Sequence, residues 1–217
     1  MSKTLLELIK YFNRKERYLV VSSLLPPERT ISAAFLERIN SCLPDVKIVP
    51  ADYWCIDYHL DWLYAALTLD GNAHASGNPI DIDRAECFKG TQEDIDLLVV
   101  AERQEETHLV LIEAKATTGW SNEQLQSKAS RLCAIFGESG KERKGVCPHF
   151  VLMSPREPKQ LATVGWPSWT KPVHWIELPT EEETYGQLTR CDEDGHGCVE
   201  GKHWKVLSRS YRPRTGE

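Results

Sequence analysis

Hydrophobic positions recur at helical spacing in four stretches of this chain and as nearly unbroken runs in five others. Leu5, Leu6, Leu8, Ile9 and Phe12 predict a helix over residues 3–13. A short apolar run, Tyr18 to Val21, is broken at Pro26-Pro27, and Ile31, Phe35, Leu36 and Ile39 restore the helical period over residues 30–42. Ile56, Leu60, Leu63, Tyr64 and Leu67 form one stripe and predict a helix over 56–69, followed by a turn-rich surface excursion from Asp70 to Pro79. The pattern then changes. Ile95–Ala101 and Leu109–Ala116 are strand-like, and the charged turn between them, Glu102 to Thr107, predicts a hairpin. Ser121 or Asn122 caps the next helix, which turns Leu125, Ala129, Leu132 and Ile135 inward. Residues 146–153 and 173–178 supply two further strands. This order predicts an α/β (α+β) domain with a central mixed β-sheet flanked by helices.

The length of 217 residues suits a single domain over 1–217. Its core is expected at about 56–153, with an N-terminal helical extension over 1–50 and a C-terminal strand and hairpin extension over 154–217. No apolar run approaches the ~18 residues of a membrane span, and the first residues have no long apolar segment of a signal peptide. Seven cysteines without small-scaffold spacing fit a reduced chain, so a cytoplasmic protein without a membrane partner is expected.

The net charge of −6 argues against a general polycation that coats nucleic acid. Its distribution is uneven. Residues 51–113 hold three basic and fourteen acidic residues, whereas residues 114–175 hold nine basic and four acidic. Solvated surface explains such blocks in many proteins. A carboxylate site for a divalent cation beside a phosphate-binding surface is the sharper alternative, and composition does not choose between them.

The second strand of the predicted hairpin carries the sharper signal. Alternation puts Leu109, Leu111, Glu113 and Lys115 on one face, so a glutamate and a lysine close an otherwise apolar strand. Buried charges of this kind are costly unless paired or bound to a metal. Asp94 and Asp96 share a face of the partner strand, and antiparallel pairing brings Asp96 near Glu113. Two hard oxygen donors suit Mg²⁺, and the lysine can orient water or stabilise charge on a phosphate. Glu-x-Lys occurs four times, starting at Glu113, Glu142, Glu157 and Glu200, but only the first closes a β-run preceded by a strand that opens with an aspartate.

The stretch E-D-I-D-L-L-V-V, followed by L-V-L-I-E-A-K-A and a glutamine-bearing helix, resembles the PD-(D/E)xK nuclease superfamily. The resemblance covers roughly residues 56–153. It implies a restriction-endonuclease-like core of helix, three-stranded meander, helix and strand, and hydrolysis of phosphodiester bonds with Mg²⁺, for which Mn²⁺ substitutes. DNA is the usual substrate and RNA the less frequent one. By position Asp96 matches the motif aspartate, Glu113 the (D/E) and Lys115 the lysine; no proline precedes Asp96. Ala85-Glu86-Cys87-Phe88 is the expected first strand of the meander. The resemblance also implies a further acidic metal ligand on the helix before the sheet, where Asp57 and Asp61 lie one turn apart, and a catalytic positioning role for Gln124. Lys128, Arg131, Lys141, Arg143, Lys144 and Trp120 are the expected nucleic-acid contacts. Cutting both strands of DNA with one site per chain would favour a homodimer. The alternative is a non-catalytic nucleic-acid-binding or complex-forming module that retains a nuclease-like core.

Other signals carry less. Cys191, His196, Cys198 and His203 invite a zinc site, but Asp-Gly turns between Leu188 and Trp204 make a β-hairpin the simpler account. His59 reads as structural, and the basic tail from Lys202 to Arg214 could track phosphates.

Overall fold

A computed structural model describes residues 3–26, 28–71, 77, 79–82, 84–90, 93–117, 119–180 and 184–211. Helix α1 (Leu5–Phe12) opens with a capping box: the Thr4 hydroxyl accepts from the Glu7 amide, and the Glu7 carboxylate accepts from the Thr4 amide at 2.8 Å. Helices α2 (Glu16–Leu24) and α3 (Ala33–Cys42) follow. Strand β1 (Tyr53–His59) runs directly into α4 (Leu60–Leu69). Strands β2 (Asp94–Arg103) and β3 (Glu106–Ala114) form the hairpin, α5 (Asn122–Phe136) crosses over, and β4 (Val146–Ser154) and β5 (His174–Glu177) complete the sheet.

The five strands lie in the order β1-β2-β3-β4-β5. β1, β2 and β3 pair antiparallel, while β4 and β5 add in parallel. A parallel neighbour cannot be reached by a tight turn, and α5 makes the crossover from β3 to β4. Alternation along the strands divides the core between the two faces of the sheet. Leu98, Val100, Leu109 and Leu111 meet α1, α4 and α5, whereas Val99, Val110, Ile112 and Val151 meet Ile39 and Leu43 at α3. The domain is therefore a mixed α+β fold with a central sheet flanked by helices. No helix among the described residues is long and apolar enough to cross a membrane.

Two expectations change. The stretch expected as a helix over 56–69 begins as strand, through His59, and is helix only from Leu60. Tyr-Trp-Cys-Ile-Asp-Tyr-His is aromatic-rich, β1 pairs with β2 as far as His59, and the helix begins only at Leu60. The spacing from Ile56 to Leu60 straddles this junction and imitated a helical stripe. Residues 84–90, expected to hold the first strand of the meander, are turns; β1 occupies that place in the sheet. The N-terminal extension is helical and packs onto the sheet: Leu5, Leu8 and Ile9 are buried in the core, and the Tyr58 hydroxyl donates to the Ile9 carbonyl at 3.1 Å. In the excursion from Asp70 to Pro79, residues 72–76 and 78 lie outside the described residues.

Strands β6 (Thr184–Cys191) and β7 (His203–Ser210) form a separate two-stranded hairpin at the end of the chain, with Leu188 opposite Val206.

Candidate active site

The strand register assembles the charged row. Ile56 pairs with Leu97 and Leu97 with Ile112, so one step along, Asp57, Asp96 and Glu113 lie level across β1, β2 and β3. Asp96 has the parity of Leu98 and Val100, and Glu113 that of Leu109 and Leu111, so both belong to the face covered by α5. Asp96 is partly buried and accepts a hydrogen bond from the Ala114 amide at 2.7 Å, which ties the ends of β2 and β3 together. Glu113 is buried. Its Oε2 accepts from Lys128 Nζ, and its Oε1 lies 3.9 Å from Lys115 Nζ. Lys115 follows the last residue of β3, where its amide donates to the Met153 carbonyl at 2.9 Å and continues the ladder with β4. Two carboxylates and two ammoniums thus share one end of the sheet.

Burial pushes the Glu113 carboxyl above the ordinary carboxylate range; the Lys128 and Lys115 ammoniums pull it down, while the Asp96 charge adds to the rise. Asp96 commits one oxygen to Ala114 and Glu113 commits one to Lys128. Among the described residues the other oxygen of each accepts no hydrogen bond. A pair of hard oxygen donors on adjacent strands, each with one oxygen uncommitted, fits the donor preference of Mg²⁺ or Mn²⁺.

Lys128 was expected to bind phosphate. It is buried instead, and besides Glu113 it donates to the Asp94 carbonyl at 2.6 Å, so its charge is spent inside the site. Arg131 was also expected on a phosphate-binding face, but its side chain is fully buried. It pairs with Asp61 and, at 3.1 Å, with Glu93, and it cannot reach a ligand at the surface. Asp61 is correspondingly not a free metal ligand. It is buried, held by Arg131 and by the amides of Lys89 (3.2 Å) and Gly90 (2.9 Å).

Asp57 has φ of 51°, in the left-handed region. This residue shifts the phase of β1, so that Cys55 and Tyr58 both enter the same core, and the Asp57 carboxylate pairs with Arg17 at 3.2 Å. Gln124 is exposed on the first turn of α5, one turn before Lys128. Lys141, Arg143 and Lys144 belong to the loop before β4, and pairing of Thr107 with Val146 puts that loop at the start of β3. Glu113 lies six residues further along, ~20 Å away, so these cations do not join the carboxylates. The Arg143 guanidinium instead lies over the Tyr64 ring at 5.6 Å.

Two features had no assigned role in the sequence reading. Asp94 accepts from Lys15 Nζ at 2.8 Å and lies 3.5 Å from His59 Nε2, so α1–α2 and β1 are clamped to the edge of the site. A cleft of about 800 Å³ also opens beside Lys115, between the loop after β3 and the loop after β4. Trp120 lines it, donating from Nε1 to the Ser154 hydroxyl at 3.3 Å. No family model, curated protein or solved structure matches this chain.

Proposed function

We propose that the chain is a metal-dependent nuclease that hydrolyses phosphodiester bonds, with DNA as the first substrate to test and RNA as the second. The observation that carries this reading is the placing of Asp96, Glu113 and Lys115 at one sheet end beside an open cleft, on a β2–β3 hairpin from which α5 crosses over to the parallel strand β4. Asp96 and Glu113 would hold Mg²⁺ or Mn²⁺. When bound, the ion supplies Lewis acidity and a more acidic water. Lys115, at the mouth of the cleft, donates from Nζ to the attacking water or to a non-bridging phosphate oxygen, where it offsets the developing negative charge. Lys128 acts through Glu113: it fixes the carboxylate rotamer and keeps it ionised in a buried position. The test is nicking or degradation of DNA in the presence of Mg²⁺ or Mn²⁺, with Lys115→Ala as the comparison; equal activity of the two proteins rejects the assignment.

One observation favours a second reading, a non-catalytic module for nucleic acid or for a complex. The Lys128 ammonium already neutralises Glu113 without a metal. Titration calorimetry separates the two readings, because such a module shows no Mg²⁺ or Mn²⁺ heat that Asp96→Asn abolishes.

A further inference from the structure

The cleft beside Lys115 combines cations with apolar walls at the edge of the carboxylate pair. Lys115, Arg156 and Lys159 contribute three cations against the single acid Glu157. Trp120, Pro155, Pro158 and Leu161 form its apolar walls, and Asn122 and Gln160 add amides that both donate and accept. Its volume of about 800 Å³ lies within the range of sites that enclose one small ligand. A cleft this size takes a nucleotide or two, not the width of a duplex. An aromatic wall with flanking cations is the arrangement that holds unpaired bases by stacking while the backbone is tracked by charge. A base seated here must already have left a double helix.

We infer that this cleft binds an unpaired strand of nucleic acid, stacking a base on Trp120 and holding the neighbouring phosphates with Arg156 and Lys159. Lys115 is shared by the cleft and the carboxylate pair, so a strand in the cleft presents its next phosphate to Asp96 and Glu113. This step rests on the nuclease reading, whereas binding in the cleft does not. Asn122 is itself anchored, accepting from the Ala162 amide at 3.0 Å, which joins the two walls. Arg156 and Lys159 are both exposed, so reversing their charges leaves the core intact.

The experiment measures anisotropy of a short fluorescein-labelled oligothymidylate with the full chain in excess EDTA, so that nothing is cut. The same label on a blunt duplex is the comparison. The single strand is expected to bind roughly tenfold or more tightly than the duplex, with Trp120→Leu and the pair Arg156→Glu/Lys159→Glu each losing roughly tenfold. Melting curves of the charge-reversal pair should coincide with wild type, which keeps the result independent of folding. A duplex that binds as well as the single strand, or binding indifferent to the charge reversal, overturns the proposal. Cleavage by wild type with Mn²⁺ is scored separately. Binding in the cleft without any cleavage rejects the nuclease reading alone, and cleavage that survives the charge reversal with unchanged binding rejects the cleft alone.

Discussion

Lys128, in the middle of α5, places its ammonium on the Oε2 atom of Glu113 at the end of β3, in a position where neither side chain is more than about a tenth exposed. The pair couples the crossover helix to the candidate active site. A buried carboxylate deprived of its cation is strongly destabilising, by roughly 3 kcal/mol or more. Lys128→Met should therefore lower the melting temperature markedly. Mn²⁺ should restore more of the loss than it adds to wild type, because the ion replaces the missing charge on Glu113. The double variant Lys128→Met/Glu113→Leu should melt closer to wild type than Lys128→Met, without any response to metal. If Lys128→Met gains no extra metal response, Glu113 is not a ligand.

Asp96 and Lys115 separate metal binding from chemistry. A ligand that binds only the folded state at ~100 Kd stabilises by about 2.7 kcal/mol, a few degrees in melting temperature for a domain of this size. Wild type should show this shift with Mg²⁺ or Mn²⁺. Asp96→Asn should lose most of it and, having one fewer like charge facing Glu113, melt higher than wild type in EDTA. Lys115→Ala should keep the shift and lose roughly a hundredfold or more of the cleavage rate. A full metal shift in Asp96→Asn would place the ion elsewhere.

Periodicity made the α5–β4 half of the domain legible. The hairpin, its crossover helix and the next strand each have one dominant period; Asp96 and Glu113 fall on the expected strands, and Lys115 lies one residue past the end of β3. The β1–α4 half was not legible, because Ile56 and Leu60 belong to different elements while keeping helical spacing. The burial of two α5 cations has another cause. Lys128 and Arg131 lie on the inward stripe of α5 with Leu125, Ala129 and Leu132, and only the positions of Glu113, Glu93 and Asp61 explain how two cations can be buried there. Those partners come from β3, the loop before β2, and α4, which no spacing along α5 reveals. The cleft draws on two loops about forty residues apart, each too irregular to mark itself in the sequence.

Acid should weaken the fold through the other face of the sheet. His108 Nδ1 and His149 Nε2 lie 3.0 Å apart on β3 and β4. Burial pulls the His149 imidazole down to about 4, with His108 and His174 adding to the shift. A histidine with its folded pKa depressed below the unfolded value of ~6.5 is held neutral, so the unfolded chain binds the extra proton between these limits. Its contribution is fully present above pH ~6.5 and is lost as pH falls toward 4, amounting to about 3 kcal/mol across that window. Denaturant unfolding at a series of pH values should show stability rising from pH 4 to 6.5, and His149→Gln should flatten that slope. An unchanged slope in His149→Gln would assign the acid sensitivity to other groups.

Asp61 and Arg131 offer a control on the face covered by α4 and α5, since their buried ion pair serves the fold rather than the metal pair. Arg131 is wholly enclosed and also holds Glu93, whereas Asp61 is further satisfied by two backbone amides. Arg131→Met leaves Asp61 and Glu93 without their cation, and a loss of roughly 3–5 kcal/mol is expected. Asp61→Asn keeps a hydrogen-bonding oxygen and should lose less. Neither change removes an oxygen from Asp96 or Glu113, so the increment in melting temperature produced by Mn²⁺ should remain that of wild type, even though both proteins melt lower. The measurement is a melt with and without Mn²⁺ for each variant. If Asp61→Asn instead abolishes the Mn²⁺ increment, Asp61 changes partner when the ion binds, and Arg131 must release it at the start of the reaction.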